Sequence, residues 1–419
     1  MTAYLGIDFG TSGARLVAID TELHVLWRSN VSIEPGRWRE TLFALIRSVP
    51  ADIRVRVSSM AIDGTSSTVL LCDRSGAMVF EPLWYHDKRG EVMLEELGSI
   101  APPGHITINA TSSLAKLLWF TQQPGFEAGQ YFLHQADWLA AQLHGKLGVS
   151  DYHNALKLGY DVQSLGYPDW LVNSPYSSLL PQVLTPGTPV GVILPAVARE
   201  LGLANDCVVC AGTTDSIAAF MASRVETPGF AVTSLGSTLV VKLLSRIPVD
   251  DVSLGIYSHR FGDLWLVGGA SNTGGAVLRA FFSDRELSEL SQSINPQIPS
   301  QLDYYPLLTP GERFPINDPN LAPRLSPRPD RPIEFLHGLL EGIAKIETQG
   351  YQRLSQLGAT PLTGVYTAGG GAKNLIWSQI RQRYLGVPVL LSQEQDAAYG
   401  TAVLAQAHTG SRKSRIGCE

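Results

Sequence analysis

The sequence predicts an α/β protein built as two similar lobes around one cleft. Strand-type apolar runs alternate with helix-type periodicities along the chain. A glycine-rich hairpin opens the sequence (DFGTSGARLVAID), and a second recurs past the middle (SLGSTLVVKLL). No short tandem repeat accompanies them, so the duplication is one of lobes and not of solenoid units. The 419 residues suit two or three domains.

The elements follow from local pattern. Tyr4–Asp8 is apolar and β-prone, Gly10–Gly13 is turn chemistry, and Arg15–Asp20 is the returning strand. Trp38–Val49 carries Leu42, Leu45, Ile46 and Val49 at helical spacing. Strands are expected over Met60–Asp63, Thr68–Cys72 and Cys207–Ala211, and helices over Ser113–Gln122, Ala136–His144 and Asp215–Ala222. Ser174–Pro189, rich in Pro, Ser and Thr, reads as a loop. Phe230–Ser234 and Thr238–Leu244 form the second hairpin. Pro306–Pro332 is proline-dense and reads as an ordered surface excursion before a long helix, Ile333–Leu357. Val365–Ala368 is a strand, Ile376, Ile380 and Tyr384 mark a helix, Ala397–His408 is a small-residue helix, and Ser411–Glu419 is a polar, frayed tail.

Composition excludes several classes. With 44% apolar and 17% charged residues, the chain is not globally disordered. The net charge, 32 − 38 = −6, gives no footprint for nucleic acid. No apolar run approaches the roughly 18–20 residues of a membrane span. Asp8 interrupts the apolar start, so no signal peptide is read and a cytoplasmic protein is expected. Cys207 and Cys210 form a CxxC inside an apolar run, with no second ligand pair for zinc; they read as buried strand thiols, and a redox role stays open.

Four stretches carry potential chemistry. In Leu5–Arg15, glycines let backbone N–H groups converge on an anion, Thr11 and Ser12 add hydroxyls, and Asp8 sits where a carboxylate would hold Mg²⁺. A strand follows and not a helix, so this is neither a Walker A loop nor a dinucleotide fingerprint; an ordinary hairpin turn is the alternative. Ser234–Thr238 repeats that chemistry. In Ala211–Phe220, Asp215 opens a helix, either as a favoured N-terminal residue or as a general base. In Thr367–Asn374, three glycines between strand and helix leave a flat surface for a ring, and Asn374 either caps the helix or meets a ligand.

Taken in order, these stretches resemble the FGGY family of carbohydrate kinases, within the actin–hexokinase–Hsp70 superfamily. DFGTSGAR resembles its first phosphate motif, GTTDS its GxxD catalytic motif, SLGST its second phosphate motif and TAGGGAKN its adenosine motif. SSLAKLLWFTQQ, around Lys116 and Trp119, resembles the family signature, with Thr111 outside the usual first-position set. IDGTSSTVLLCD, QADWL and DYHNALKLGYD look most like the compact D-ribulose kinases of phototrophs, which are also described as xylulose-kinase-like. The resemblance departs where relatives carry a W-x-D-x-R run, here Tyr85–Arg89, and the chain is shorter than many relatives.

The resemblance implies two ribonuclease-H-like lobes with mixed sheets flanked by helices and ATP between them. Residues 1–222, completed by 396–419, would carry sugar and catalysis; residues 223–395 would carry adenosine. Asp215 would be the general base and Asp8 the Mg²⁺ ligand. Thr11, Ser12, Gly13 and Arg15, with Gly236, Ser237 and Thr238, would face the phosphates; Gly369, Gly370, Gly371 and Asn374 would receive the adenosine. Ser66 and Asp215, with Asp8, Asp63, Thr65 and His153, are the sugar-facing candidates. The expected reaction is ATP- and Mg²⁺-dependent phosphorylation of a ketopentose, D-ribulose first, by a monomer or homodimer without nucleic-acid or membrane partners. D-xylulose, L-ribulose or a polyol are the alternatives as substrate. An actin- or Hsp70-like nucleotide-gated binding protein is the alternative class.

Overall fold

The computed structural model describes residues 2–34 and 36–407. The chain divides into two compact units, one from residues up to Ala222 and from Asp396 onward, the other Ser223–Gln395. Both are α/β, as the sequence predicts.

In the first unit, β1 (Ala3–Phe9), β2 (Gly13–Ile19) and β3 (Val25–Ser32) form an antiparallel meander. On its other side β1 pairs in parallel with β4 (Val57–Gly64). The sheet continues through β5 (Pro189–Val192) and β6 (Val208–Cys210) in the spatial order β3-β2-β1-β4-β6-β5. Every residue of β1 is buried, because both faces are covered. On one face lies α1 (Trp38–Ser48), whose Trp38, Leu42, Leu45 and Ile46 join Leu5, Ile7 and Leu16 in one core. Further along the chain come α2 (Ser113–Thr121), α3 (Gln135–His144) and α4 (Asp215–Ala222).

The second unit repeats the arrangement. β7 (Phe230–Leu235) and β8 (Leu239–Ser245) are the hairpin, followed by β9 (His259–Phe261) and β10 (Leu264–Ala270). Helices α5 (Gly275–Phe281) and α6 (Pro332–Gln356) precede β11 (Gly364–Ala368); α7 (Leu375–Leu385) and β12 (Val389–Leu391) follow. The order is β9-β10-β8-β7-β11-β12, with β7 and β11 parallel. Phe335, Leu336, Leu339, Leu340 and Ile343 of α6 enter the core with Trp377 and Ile380 of α7. Beneath the sheet, Arg381 grips Glu347 through two bonds of 2.6 and 2.7 Å, and Thr233 and Thr367 add hydroxyls to the pair.

The last described helix, α8 (Ala397–Ala407), belongs to the first unit. Its small residues serve close approach: a Cβ on Gly6 would lie 2.0 Å from the Ala402 nitrogen, and one on Gly400 would lie 1.9 Å from the Ala218 oxygen. His408, the expected end of this helix, and the tail after it lie outside the described residues.

Several elements differ from expectation. β3 has no apolar run, since it is a half-exposed edge strand held by its ladder to β2. The expected loop 174–189 contains a short strand, Gln182–Leu184, held by parallel pairing to Val149–Asp151. The helix Asp284–Gln292 was announced only by its capping box, in which Ser283 and Glu286 satisfy each other's backbone N–H groups. Cys207 and Cys210, by contrast, are buried as expected, and burial pushes both thiols up to about 12.

Candidate active site

Parallel register gathers the acids of the first unit. Asp8, next to last in β1, pairs in register with Asp63 of β4, and Asp63 pairs with Thr213 of the two-residue strand Thr213–Thr214. Asp215 follows directly as the first residue of α4. Its Oδ1 accepts from the Ser216 N–H at 2.6 Å, which is first-turn helix chemistry.

These carboxyls sense one another. Burial pushes Asp8 up to about 6; the nearby Asp215 charge adds to this, while a hydrogen bond with Asp63 and the Arg15 guanidinium, 3.6 Å away, oppose it. Burial, then the Asp8 charge, drives Asp63 well above the usual carboxylate range. The Thr401 hydroxyl of α8 donates to Asp63. Of the two, Asp63 is pushed further toward its protonated form, by burial and by the Asp8 charge.

The hairpin turn after β1 is closed by Gly10 N–H donating to the Gly13 carbonyl at 3.0 Å. Thr11, Ser12 and Arg15 are exposed beside it, so their donors are available to an anion. Among the described residues no group of three or more His, Cys, Asp or Glu is arranged to hold a metal. Mg²⁺ keeps several waters and needs only one or two carboxylates plus substrate phosphates; Asp8 is the carboxylate beside the glycine turn.

The turn after β4 holds the remaining first-unit candidates. Thr65 is buried; its hydroxyl bonds the Thr68 hydroxyl and lies 3.5 Å from Gln135 Oε1. Ser66 is half-buried at the tip, and Ser67 takes a left-handed φ of 63°. His153 is buried, and its Nδ1 bonds the Thr213 hydroxyl at 2.7 Å. Asn154 holds the Thr213 carbonyl at 3.2 Å and Asp151 at 2.6 Å. His153 thus braces the strand that leads into Asp215. Asp151 also caps the short helix Tyr152–Ala155, and burial pushes its carboxyl up to about 7.

In the second unit, the turn after β7 and the glycine run after β11 meet. Gly369, at φ +82°, lies so close that a Cβ would sit 2.8 Å from the Leu235 carbonyl. A Cβ on Gly371 would meet Leu235 and Trp377 at 2.6 and 2.7 Å, whereas one on Gly370 would meet nothing within 4 Å. Two of the three glycines are thus explained by packing on protein, and Gly370 alone faces open space. Asn374 caps α7, accepting from Trp377 N–H at 3.0 Å, and its Nδ2 donates to Ser291 at 2.8 Å. The carbonyls of Gly236 and Ser237 are taken by the Gly275 and Ala276 N–H groups at the start of α5. Arg279 of α5 donates to the exposed Ser237 hydroxyl at 3.2 Å. Arg279 was missed by sequence reasoning; the glycine pair Gly274-Gly275 was the available signal. Thr401 was missed because nothing local connects it to Asp63.

Residues 231–408 match the C-terminal domain of the FGGY family of carbohydrate kinases. The xylulose kinase of Staphylococcus epidermidis is 23% identical over 99% of this chain and 89% of its own. The ribulokinase of Shouchella clausii is 28% identical over 58% of this chain and 53% of its own. The ligand-bound xylulose kinase structure from Lactobacillus acidophilus superposes with a TM-score of 0.84 at 17% identity, over 99% of this chain and 91% of that one, and so shares the fold. Residues 231–408 are thus similar to the C-terminal domain of the FGGY carbohydrate kinases, and the xylulose kinase that matches nearly the whole chain is a sugar kinase by name. Among the described residues no helix is long and apolar enough to cross a membrane.

Proposed function

We propose that the protein transfers the γ-phosphoryl group of ATP, with Mg²⁺, to a terminal hydroxyl of a ketopentose. The proposed substrate is D-ribulose and the product D-ribulose 5-phosphate. The observation that carries the reading is the placement of Asp215 at the first turn of α4, beside Asp8 and Asp63 at the strand ends. The relatives named xylulose kinase and ribulokinase support a ketopentose. The stretches IDGTSSTVLLCD, QADWL and DYHNALKLGYD favour D-ribulose over D-xylulose through their resemblance to compact D-ribulose kinases.

In this mechanism the sugar hydroxyl oxygen attacks the γ-phosphorus in line, the bond to the β,γ-bridging oxygen breaks, and ADP leaves. Asp215 accepts the hydroxyl proton as the alcohol becomes acidic. Bound Mg²⁺, held at Asp8, would neutralise phosphate charge. Each unit offers its own donors suited to phosphate oxygens: Thr11, Ser12, Gly13 and Arg15 in the first, and Gly236, Ser237 and Thr238 in the second. Gly370 gives the adenine an open surface, while Gly369, Gly371 and Asn374 shape and anchor that turn. Ser66 meets the sugar; Thr65, His153 and Asp63 support it through their bonds to the Thr68, Thr213 and Thr401 hydroxyls. Three unbridged cysteines, Cys72, Cys207 and Cys210, suit a reducing, cytoplasmic setting, and a monomer or homodimer completes the proposal.

The test is ATP-to-ADP turnover with Mg²⁺ across D-ribulose, D-xylulose, L-ribulose, ribitol, glycerol and no sugar. Strong stimulation by D-ribulose alone is expected. Stimulation by D-xylulose instead would move the substrate within the family. No stimulation by any sugar would overturn the proposed reaction and favour a nucleotide-gated binding role.

A further inference from the structure

Lys116 of α2 is fully buried, amid Leu114, Ala115, Leu117 and Leu118. Its ammonium meets main-chain carbonyls only: Ser67 at 2.7 Å, Trp84 at 2.7 Å and Tyr85 at 3.4 Å. The charged groups around it are Asp87, Arg89 and Lys157, and Asp87 is already paired with Arg89 at 2.7 Å. Taking a cation out of water without a hydrogen-bonded carboxylate is costly, and a Leu or Met would fill the same helix position without that cost. The compensation is the gathering of three carbonyls from two turns.

Those turns bracket the sugar-facing candidates. Ser67 directly follows Ser66 and holds a left-handed φ that a serine adopts only under constraint. The loop from Trp84 is tied back by Tyr85 N–H donating to the Thr68 hydroxyl at 3.1 Å, and Val69 and Leu83 exchange backbone bonds just before it. Thr65 and Thr68 close the turn through their hydroxyls. No side chain of the turn reaches the Ser67 carbonyl among the described hydrogen bonds; Lys116 does.

We propose that Lys116 is the positioning residue of the sugar-facing turn, and that its ammonium fixes Ser66 by holding the Ser67 carbonyl together with those of Trp84 and Tyr85. The inference rests on the reading that Ser66 meets the sugar. Burial pulls the Lys116 amine down to about 7, while the nearby Asp87 charge opposes that fall.

The test uses the full chain carrying Lys116→Met. Hydrogen exchange read by mass spectrometry should accelerate at least about tenfold in the peptides covering 65–68 and 84–87, with β1 and the second unit unchanged. The KM for the stimulating sugar should rise about tenfold or more while the KM for ATP stays within about twofold. Lys116→Gln, which keeps two N–H donors without charge, should fall between wild type and Lys116→Met, and it takes over the comparison if Lys116→Met does not fold. Unchanged exchange in the two segments, or equal acceleration throughout the first unit, would overturn the proposal, as would equal rises in both KM values. If no sugar stimulates the wild type, the sugar-kinase reading falls, and the exchange experiment still decides whether Lys116 holds the turn.

Discussion

Each unit joins a hairpin to a parallel strand, β1–β2 with β4 in the first and β7–β8 with β11 in the second. Two residues before the turn glycine, the first unit has Asp8 and the second Ser234; their parallel partners are Asp63 and Ala368. One topology therefore delivers a pair of buried acids in one unit and a serine with an alanine in the other. Charge is also buried differently. Asp8 and Asp63 crowd each other at a strand end, while Glu347 in the second unit is matched by Arg381 beneath the sheet. The contrast separates chemistry from architecture: like charges forced together raise carboxylate pKa values at a site, and opposite charges with full hydrogen bonding serve packing.

The strongest way to break this comparison is Asp215→Ala. Its kcat should fall by about 10²–10⁴ while the variant stays folded; near-full turnover in a folded variant would remove Asp215 from the chemistry. Next in size is Arg381→Met, which leaves Glu347 buried and unpaired. Urea unfolding should show a loss of about 3–5 kcal/mol, largely recovered in Glu347→Gln/Arg381→Met. Equal losses in the single and double variants would mean that the pair is not the unit that matters.

The smallest effect concerns pH. His144 is buried, its Nδ1 accepts from Lys146 N–H at 3.0 Å, and burial pulls its pKa from 6.5 to about 4. The unfolded chain therefore takes up a proton first as pH falls. Stability contributed by neutral His144 is complete above about 6.5 and is lost progressively toward 4. His144→Asn, which keeps an acceptor, should flatten the urea midpoint between those values; an unaltered slope would show that other groups carry it.

Much of this molecule was legible from local pattern. Asp215 at a helix start, the two hairpins and the Asn374 cap each depend on a few neighbouring residues, and each is found there. The three-glycine run was legible as a special turn but not in detail, because only tertiary contact shows that Gly369 and Gly371 pack on Leu235 while Gly370 stays open. His153 read as a polar side chain available to sugar; its bond to the Thr213 hydroxyl, 60 residues away, turned it inward. The edge strand β3 was missed because its pairing comes from β2 and not from its own apolar content.

The sequence by itself determined the kinds of element and their punctuation, since glycine conformations, caps and helical periodicity are settled within a few residues. Only the tertiary structure decided which chemistry those elements share. Strand register set Asp8 beside Asp63, backbone contact at Gly6 and Gly400 seated α8 so that Thr401 reaches Asp63, and burial moved the carboxyl and amine pKa values. Register and desolvation are sums over groups distant in the chain, so no local window of sequence contains them.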